Sequence, residues 1–268
     1  MKRLFILIIF IFGSYFSNCQ ITVCSWNLEN FGKSKSDIEI KFIANTVKDV
    51  DVLVVIEVVS GGGGAQAVAR LSDALNRTGE KWDYTISAPT VSNNYETERY
   101  AFIWKTNKLT KQGDAWLDKK HQVEIEREPF IITLKSKGKL FSLVAFHAIP
   151  KSKQPETEIK YLKYFPAEYP DKNLIICGDF NCPQSHSVFF PLKAMGYKPI
   201  LTGRKTTLRQ ECINADCLAS EFDNIFYNAT KVTFIKAEVI AFYLKFTSLK
   251  EARAISDHLP ILFQFTIN

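Results

Sequence analysis

His147 closes the apolar stretch Leu140–His147, and His258 follows Asp257 after Ala254-Ile255-Ser256. Acids and amides take the same kind of position elsewhere. Asn27 ends Ser25-Trp26-Asn27, Glu57 follows Val55-Ile56, Asp179 and Asn181 follow Leu174–Cys177, and Asp223 sits in Phe222-Asp223-Asn224. An apolar run ending this way carries a polar side chain from a buried strand to the solvent boundary. Phosphodiester hydrolysis needs a cation on the phosphate, a base for water, an acid for the leaving oxygen and donors for the non-bridging oxygens. Glu57 suits Mg²⁺, which favours carboxylate oxygen. Asn27 and Asn181 can donate to phosphate or bind metal through oxygen. His258 beside Asp257 fits a base, and His147 an acid. Each ring needs a carboxylate to fix its tautomer, and Asp223 and Glu98 are at hand. Taken singly, a strand-end histidine is more often structural and Asp-x-Asn is often a turn. A glutamate in a buried strand is costly without a partner. The combined set points to one metal-assisted site. His121 and His186 lack the strand context and take no role.

The elements that must position these groups are mostly strands. Alternation or continuous apolar character marks strands at about 20–27, 51–59, 82–87, 99–105, 130–134, 140–147, 173–177, 223–227, 236–241 and 260–266. Helical spacing marks 38–47, 65–75, 156–165, which Pro166 ends, and 187–195. Ser60-Gly61-Gly62-Gly63-Gly64 breaks the chain before the second helix. Without a following Gly-Lys-Ser/Thr it reads as a loop near a site and not as a phosphate cradle. Strands outnumber helices, which predicts an α/β (α+β) sandwich of two packed mixed β-sheets with helices outside. No Pro- or Gly-rich linker divides 20–268, so this stretch is read as one domain.

The chain has 268 residues with 46% hydrophobic and 23% charged residues, ordinary for a globular protein. Lys2-Arg3, an apolar run from Leu4 to Phe12 and a more polar end at Cys19 describe a signal peptide over 1–19. An uncleaved anchor is the alternative, although the run is short for a membrane span of about 20 residues. Secretion or a periplasmic location follows. The formal charge is +6, and residues 1–19 carry two of the cations and no acid. That mild balance excludes a protein that coats DNA through net charge alone. Of the six cysteines, Cys24 and Cys177 lie in apolar strands, while Cys182, Cys212 and Cys217 fall in polar loops, where two of the three can pair in an oxidising compartment. No Cys-x-x-Cys pair occurs, which argues against a zinc ribbon.

In their order along the chain, Trp26-Asn27, Glu57, Glu98-Arg99-Tyr100, Arg127-Glu128-Pro129, His147, Gly178-Asp179-Phe180-Asn181, Phe222-Asp223-Asn224 and Ser256-Asp257-His258-Leu259-Pro260 resemble the endonuclease/exonuclease/phosphatase superfamily. Glu-Arg-Tyr, Arg-Glu-Pro and Ala254–Pro260 are similar to segments of its pancreatic deoxyribonuclease branch. The resemblance implies a four-layer sandwich with the site at one end of two sheets. It implies that His258, oriented by Asp223, activates water and that His147, paired with Glu98, protonates the leaving oxygen, two roles that can be exchanged. Glu57 would bind Mg²⁺ (Mn²⁺ or Ca²⁺ as alternatives), with Asn27 and Asp257 as further metal residues and Asp179 and Asp257 near the nucleophile. Asn27, Asn181, Arg127 and Arg99 would hold the substrate. Two positions depart from the branch. Val59 stands where it carries a groove-entering Arg, and Glu96, with Tyr95 one place off, stands where it carries a stacking Tyr. Gly61–Gly64, Arg99, Lys151 or Lys153 would have to replace that grip.

The expected activity is thus a secreted, Mg²⁺-dependent endonuclease acting on DNA, a monomer with no stable protein partner and no membrane attachment beyond the N-terminal segment. The alternatives are a phosphoesterase for phospholipid or inositol phosphate on the same fold, and a catalytically inactive binding module.

Overall fold

The structure, a computed structural model, describes residues 20–91 and 97–268. The expected signal peptide and the Tyr95 and Glu96 positions lie outside the described residues. In chain order the strands are β1 (Ile21–Phe31), β2 (Val52–Val59), β3 (Trp82–Ile86), β4 (Glu98–Lys105), β5 (Thr110–Lys111), β6 (Trp116–Leu117), β7 (Phe130–Ser136), β8 (Lys139–His147), β9 (Leu174–Asp179), β10 (Tyr197–Pro199), β11 (Leu208–Ile213), β12 (Asp216–Leu218), β13 (Asp223–Asn228), β14 (Val232–Val239) and β15 (Ile261–Ile267). The α-helices are α1 (Asp37–Val47), α2 (Gly62–Asn76), α3 (Glu156–Ile159), α4 (Phe165–Glu168), α5 (Phe190–Ala194) and α6 (Leu249–Ile255). One sheet runs β14-β15-β1-β2-β4-β3; the other runs β10-β13-β9-β8-β7-β5, with β6 also pairing β7. Each is mixed. β1 and β2 are parallel in the first, β8 and β9 are parallel in the second, and their other pairs are antiparallel.

Strand alternation splits the apolar residues into layers. Val52, Val54 and Ile56 of β2 meet Leu143, Ala145, Ile175 and Cys177 between the sheets. Phe102 stacks on Phe130 across that interface at 5.2 Å, and Phe141 meets Phe265 edge-on at 5.7 Å. Each such buried ring contributes about 1.5–3 kcal/mol relative to exposure. The other face of the first sheet takes Leu53 and Val55 against Ile43, Val47, Val68 and Leu71 of α1 and α2. On the far side, Val144, Phe146 and Ile176 pack under Ile159, Phe165 and Leu192 of α3, α4 and α5. The result is helix, sheet, sheet, helix, the four-layer sandwich expected.

Several local expectations change. The stretch 156–165 is not one helix. It divides into α3, a 3₁₀ segment at Lys160–Tyr164 and α4, and Pro166 lies in the first turn of α4, where its missing N–H costs nothing. The stretch 187–195 is a 3₁₀ turn at Ser187–Phe189 followed by α5. The glycine run is no loop, because α2 begins at Gly62 with Gly61 as its N-cap. A Cβ at Gly64 would lie 2.0 Å from Val59 O, so the helix reaches β2 only through glycine. Cys212 and Cys217 lie in β11 and β12, not in loops, and form a disulfide, while Cys182 is a buried thiol. Helix α6 and the β11–β12 hairpin escape the sequence patterns, because α6 is brief and the hairpin face is exposed. No helix among the described residues is long and apolar enough to cross a membrane.

Candidate active site

Strand register brings the polar strand ends together. In the second sheet His147 pairs with Asp179, and Asp179 with Asp223, so the three stand in one row across β8, β9 and β13. They continue the alternation of Ala145, Cys177 and Ile225 and so face the first sheet. Gly178, one residue earlier, lets β9 lie close to β8; a Cβ there would meet Phe146 O at 1.9 Å. From the first sheet, Asn27 and Glu98 face inward by the same rule. Glu57 should not, because Val52, Val54 and Ile56 already define the inward face. Its backbone is left-handed, with φ 61°, where the β2–β4 register shifts between Val55 and Val58. That irregularity returns the carboxylate to the inter-sheet end, at a strain of about 1–3 kcal/mol.

The histidines form two matching arrangements. Nδ1 of His258 meets Asp223 Oδ2 at 2.8 Å, and Nδ1 of His147 meets both oxygens of Glu98 at 3.0 Å. Both Nε2 atoms converge on one atom, Asp179 Oδ2, at 3.5 Å each. Asn27 joins the sheets. Its Nδ2 donates to Glu57 Oε1 at 2.8 Å and to Asp179 Oδ2 at 3.2 Å, while its Oδ1 accepts Glu29 N at 3.0 Å. The Asn181 backbone N–H donates to Asp179 Oδ1 at 2.9 Å, and its side chain donates to Ala148 O at 3.0 Å. Asn27, His147, Asp179 and Asp223 are all buried.

Charge divides the two arrangements. Burial and the neighbouring Arg127 push His147 down to about 4, against Asp179 and Glu57. Burial pushes Glu98 up to about 8, against the same arginine. Burial also acts to lower His258, but Asp223, Asp179 and Asp257 outweigh it, and the ring stands well above its ordinary value. One ring is thus neutral and the other cationic near neutral pH.

Other expected residues are placed differently. The Arg127 guanidinium donates to His147 O and Ala148 O and lies 3.5 Å from Glu98. Arg99 alternates to the opposite face from Glu98 and donates to Ser60 O and Ser87 O, each at 2.7 Å, so it braces loops away from the histidine pair. Asp257 lies 3.8 Å from His258 Nε2 and 3.3 Å from Arg253. Among the described residues, two groups bring three potential metal-ligating atoms within 4.8 Å of one another: Glu57, His147 and Asp179, and Asp179, Asp223 and His258. Asp257 belongs to neither. The first group's paired carboxylates, held by one amide, fit the oxygen preference of Mg²⁺.

Sequence reasoning missed several contributors. Thr206 Oγ1 donates to Asp223 Oδ2 at 2.6 Å, and Ser256 Oγ donates to Asn27 O at 2.6 Å while accepting His258 N. Glu29 accepts Asp257 N at 3.2 Å, and its carboxyl is raised by burial and by Asp257. Buried Lys35 donates to Ala254 O and Ile255 O, holding the end of α6 just before the Ser-Asp-His segment. Ser256 belongs to a quoted motif and Glu29 lies two residues past Asn27, though neither role was foreseen, and Thr206 and Lys35 carry no strand-end signature. His121, assigned no role, is buried away from the site and pairs with Asp118 at 2.7 Å.

Comparison with known proteins adds a family and relatives. The family described as Endonuclease/Exonuclease/phosphatase family matches residues 24–258. Human deoxyribonuclease gamma is 27% identical over 195 residues, covering 65% of this chain and 60% of that protein. A deoxyribonuclease of a Thioalkalivibrio species is 26% identical over 200 residues, covering 70% of this chain and 54% of the relative. The chain therefore spans little more than half the length of these relatives. A solved structure of an endonuclease/exonuclease/phosphatase family protein from Bacteroides thetaiotaomicron superposes with a TM-score of 0.68 at 17% identity, covering 93% of this chain and 98% of that one, a likeness of fold.

Proposed function

This chain belongs to the endonuclease/exonuclease/phosphatase family, and on that footing we propose that it is a secreted or periplasmic endonuclease that hydrolyses DNA phosphodiesters with Mg²⁺. The observation that carries the reading is the convergence of two carboxylate-held histidines on Asp179 Oδ2, at 3.5 Å each. Hydrolysis needs one proton acceptor and one donor on opposite sides of the phosphorus, and a neutral and a cationic ring supply both. Asp223 and Glu98 fix which ring nitrogen faces the substrate. Asn181 has one side-chain N–H beyond its bond to Ala148 O to offer a non-bridging oxygen, whereas both N–H groups of Asn27 are spent on Glu57 and Asp179, so Asn27 would serve by holding those two carboxylates. Arg127, tied to two backbone carbonyls, adds fixed positive charge behind His147. Glu57 and Asp179 would hold Mg²⁺, with Mn²⁺ or Ca²⁺ as substitutes. Held there, a divalent cation would polarise the phosphate and offset developing charge.

The deoxyribonuclease relatives support DNA over other phosphoesters. The Cys212–Cys217 disulfide supports an oxidising compartment, in line with the basic and apolar N-terminal segment. The test is nicking of supercoiled plasmid by the purified protein with Mg²⁺ and with chelator, beside RNA, sphingomyelin and inositol phosphates. Metal-dependent nicking is expected, and hydrolysis of lipid alone would overturn the reading. Sequencing the N-terminus of protein recovered outside the cytoplasm tests secretion; a start at Met1 refutes removal of residues 1–19.

A further inference from the structure

Glu158 is a carboxylate only 2% exposed, on a helix that contributes none of the groups described above. Its Oε1 accepts Glu126 N at 2.7 Å, and its Oε2 accepts Ile149 N at 2.8 Å. The two amides belong to different loops. One precedes Arg127; the other comes two residues after His147. Arg127 closes the same junction from the opposite side, donating to His147 O and Ala148 O while facing Glu98 Oε2 at 3.5 Å. A buried anion and a buried cation thus tie residues 126–127 to 147–149 at consecutive positions, and Arg127 lies within electrostatic reach of Glu158.

We propose that Glu158 is a positioning residue for the His147–Glu98 pair, acting through Arg127 and the two loop amides and never touching substrate. The inference rests on the phosphodiesterase reading. The chemistry calls for a carboxylate, since both oxygens face N–H donors. A glutamine would turn an NH₂ toward one of them, and an aspartate would fall a methylene short. Without the carboxylate, the two loops lose their shared acceptor and the guanidinium loses part of the negative charge around it. His147 then swings relative to Asp179, while the far pair, His258 with Asp223, keeps its own supports through Thr206 and Ser256.

The test uses the full chain with Mg²⁺ and plasmid DNA, whose alkoxide leaving group needs both histidines, comparing wild type, Glu158→Gln, Arg127→Ala, the double variant and Asp118→Asn. Asp118 is a buried carboxylate of similar partner number, holding His121 and Tyr169 and making no side-chain bond to Arg127, His147 or Glu98. Glu158→Gln is expected to lower kcat at least tenfold with KM within twofold. The double variant should lose less than the product of the two single losses, because both residues hold the same two loops, and Asp118→Asn should lower the melting temperature comparably with kcat within twofold. A kcat within twofold for Glu158→Gln, independent losses in the double variant, or an equal loss in Asp118→Asn each overturns the inference. Hydrogen exchange at the Glu126 and Ile149 amides reads it without catalysis. If wild type cleaves no phosphodiester, the functional reading fails; lost protection in Glu158→Gln still supports the clamp, and retained protection refutes it.

Discussion

His147 and His258 are each held through Nδ1 by a carboxylate and each aim Nε2 at the same oxygen of Asp179. Their surroundings differ. Behind His147 lies the Arg127 guanidinium, while around His258 lie three aspartates. Similar hydrogen bonding therefore yields a neutral ring on one side and a cationic ring on the other. The comparison teaches that the partner on Nδ1 sets orientation in both, whereas protonation follows the whole surroundings: burial and Arg127 prevail at His147, while Asp223, Asp179 and Asp257 outweigh burial at His258.

The largest expected effect tests the pair itself. His147→Ala and His258→Ala should each lower kcat on DNA by about 10²–10⁴-fold. A p-nitrophenyl ester separates their roles, because its leaving group departs without a proton. The ring charges make His258 the donor, so His258→Ala should retain far more activity on the ester than on DNA. If His147→Ala is the variant rescued, the roles are those implied by the family resemblance, with His258 as base. The next effect tests the supporting carboxyls. Asp223→Asn removes a charge that His258 needs and should lower kcat on the order of 10²-fold. Glu98 is largely protonated at pH 7, its value standing at about 8. Glu98→Gln should accordingly cost less than about tenfold at that pH, and equal losses for the two would erase the distinction.

Stability against pH sharpens the contrast further. His258 holds its proton well above 6.5, its unfolded value, so the stability it supplies is complete below about pH 6.5 and fades as pH rises toward the folded value. The His147–Glu98 pair keeps a single proton from about 4 to about 8. An unfolded pair, with values near 6.5 and 4.5, is empty above 6.5. The folded pair therefore binds the extra proton between 6.5 and 8, and stability falls with pH there by on the order of 1–2 kcal/mol. Melting curves in chelator should show the decline, and Glu98→Gln should flatten part of it. The smallest effect concerns the hairpin. Cys212→Ala with Cys217→Ala should cost about 2 kcal/mol through a short loop closure and leave kcat on the small ester within about twofold. A larger kinetic loss would mean that β11, whose Leu208 N donates to Asp257 O, also tunes His258.

Much of the fold was legible because buried strands write their alternation plainly. Ala145 to His147, Cys177 to Asp179 and Ile225 back to Asp223 keep one parity, so their polar ends had to share a face. Glu57 was found by type and place, although its direction depends on a left-handed backbone that alternation cannot foresee. Arg99 was misleading for the opposite reason: it neighbours Glu98 in sequence and so must point to the other face. The split of 156–165 into three helical pieces was hidden, because helical spacing over ten residues looks alike whether or not the turns tighten. Glu158 and Thr206 stayed invisible, since their partners are backbone amides and a carboxylate brought near only by the finished fold.

The bond from Ser256 Oγ to Asn27 O spans 229 residues, and Trp26 donates to His258 O across 232. Its consequence is one of timing. The first strand and the last loop must meet before His258 stands beside Asp179, and β15 must enter between β14 and β1 to bring them together. A chain still being synthesised therefore holds its chemistry in separate pieces. Ribosome-bound chains stalled before residue 256 should leave plasmid uncut, so the proposed activity would stay silent in the cell that makes the protein until the Ser256–His258 segment has emerged and docked.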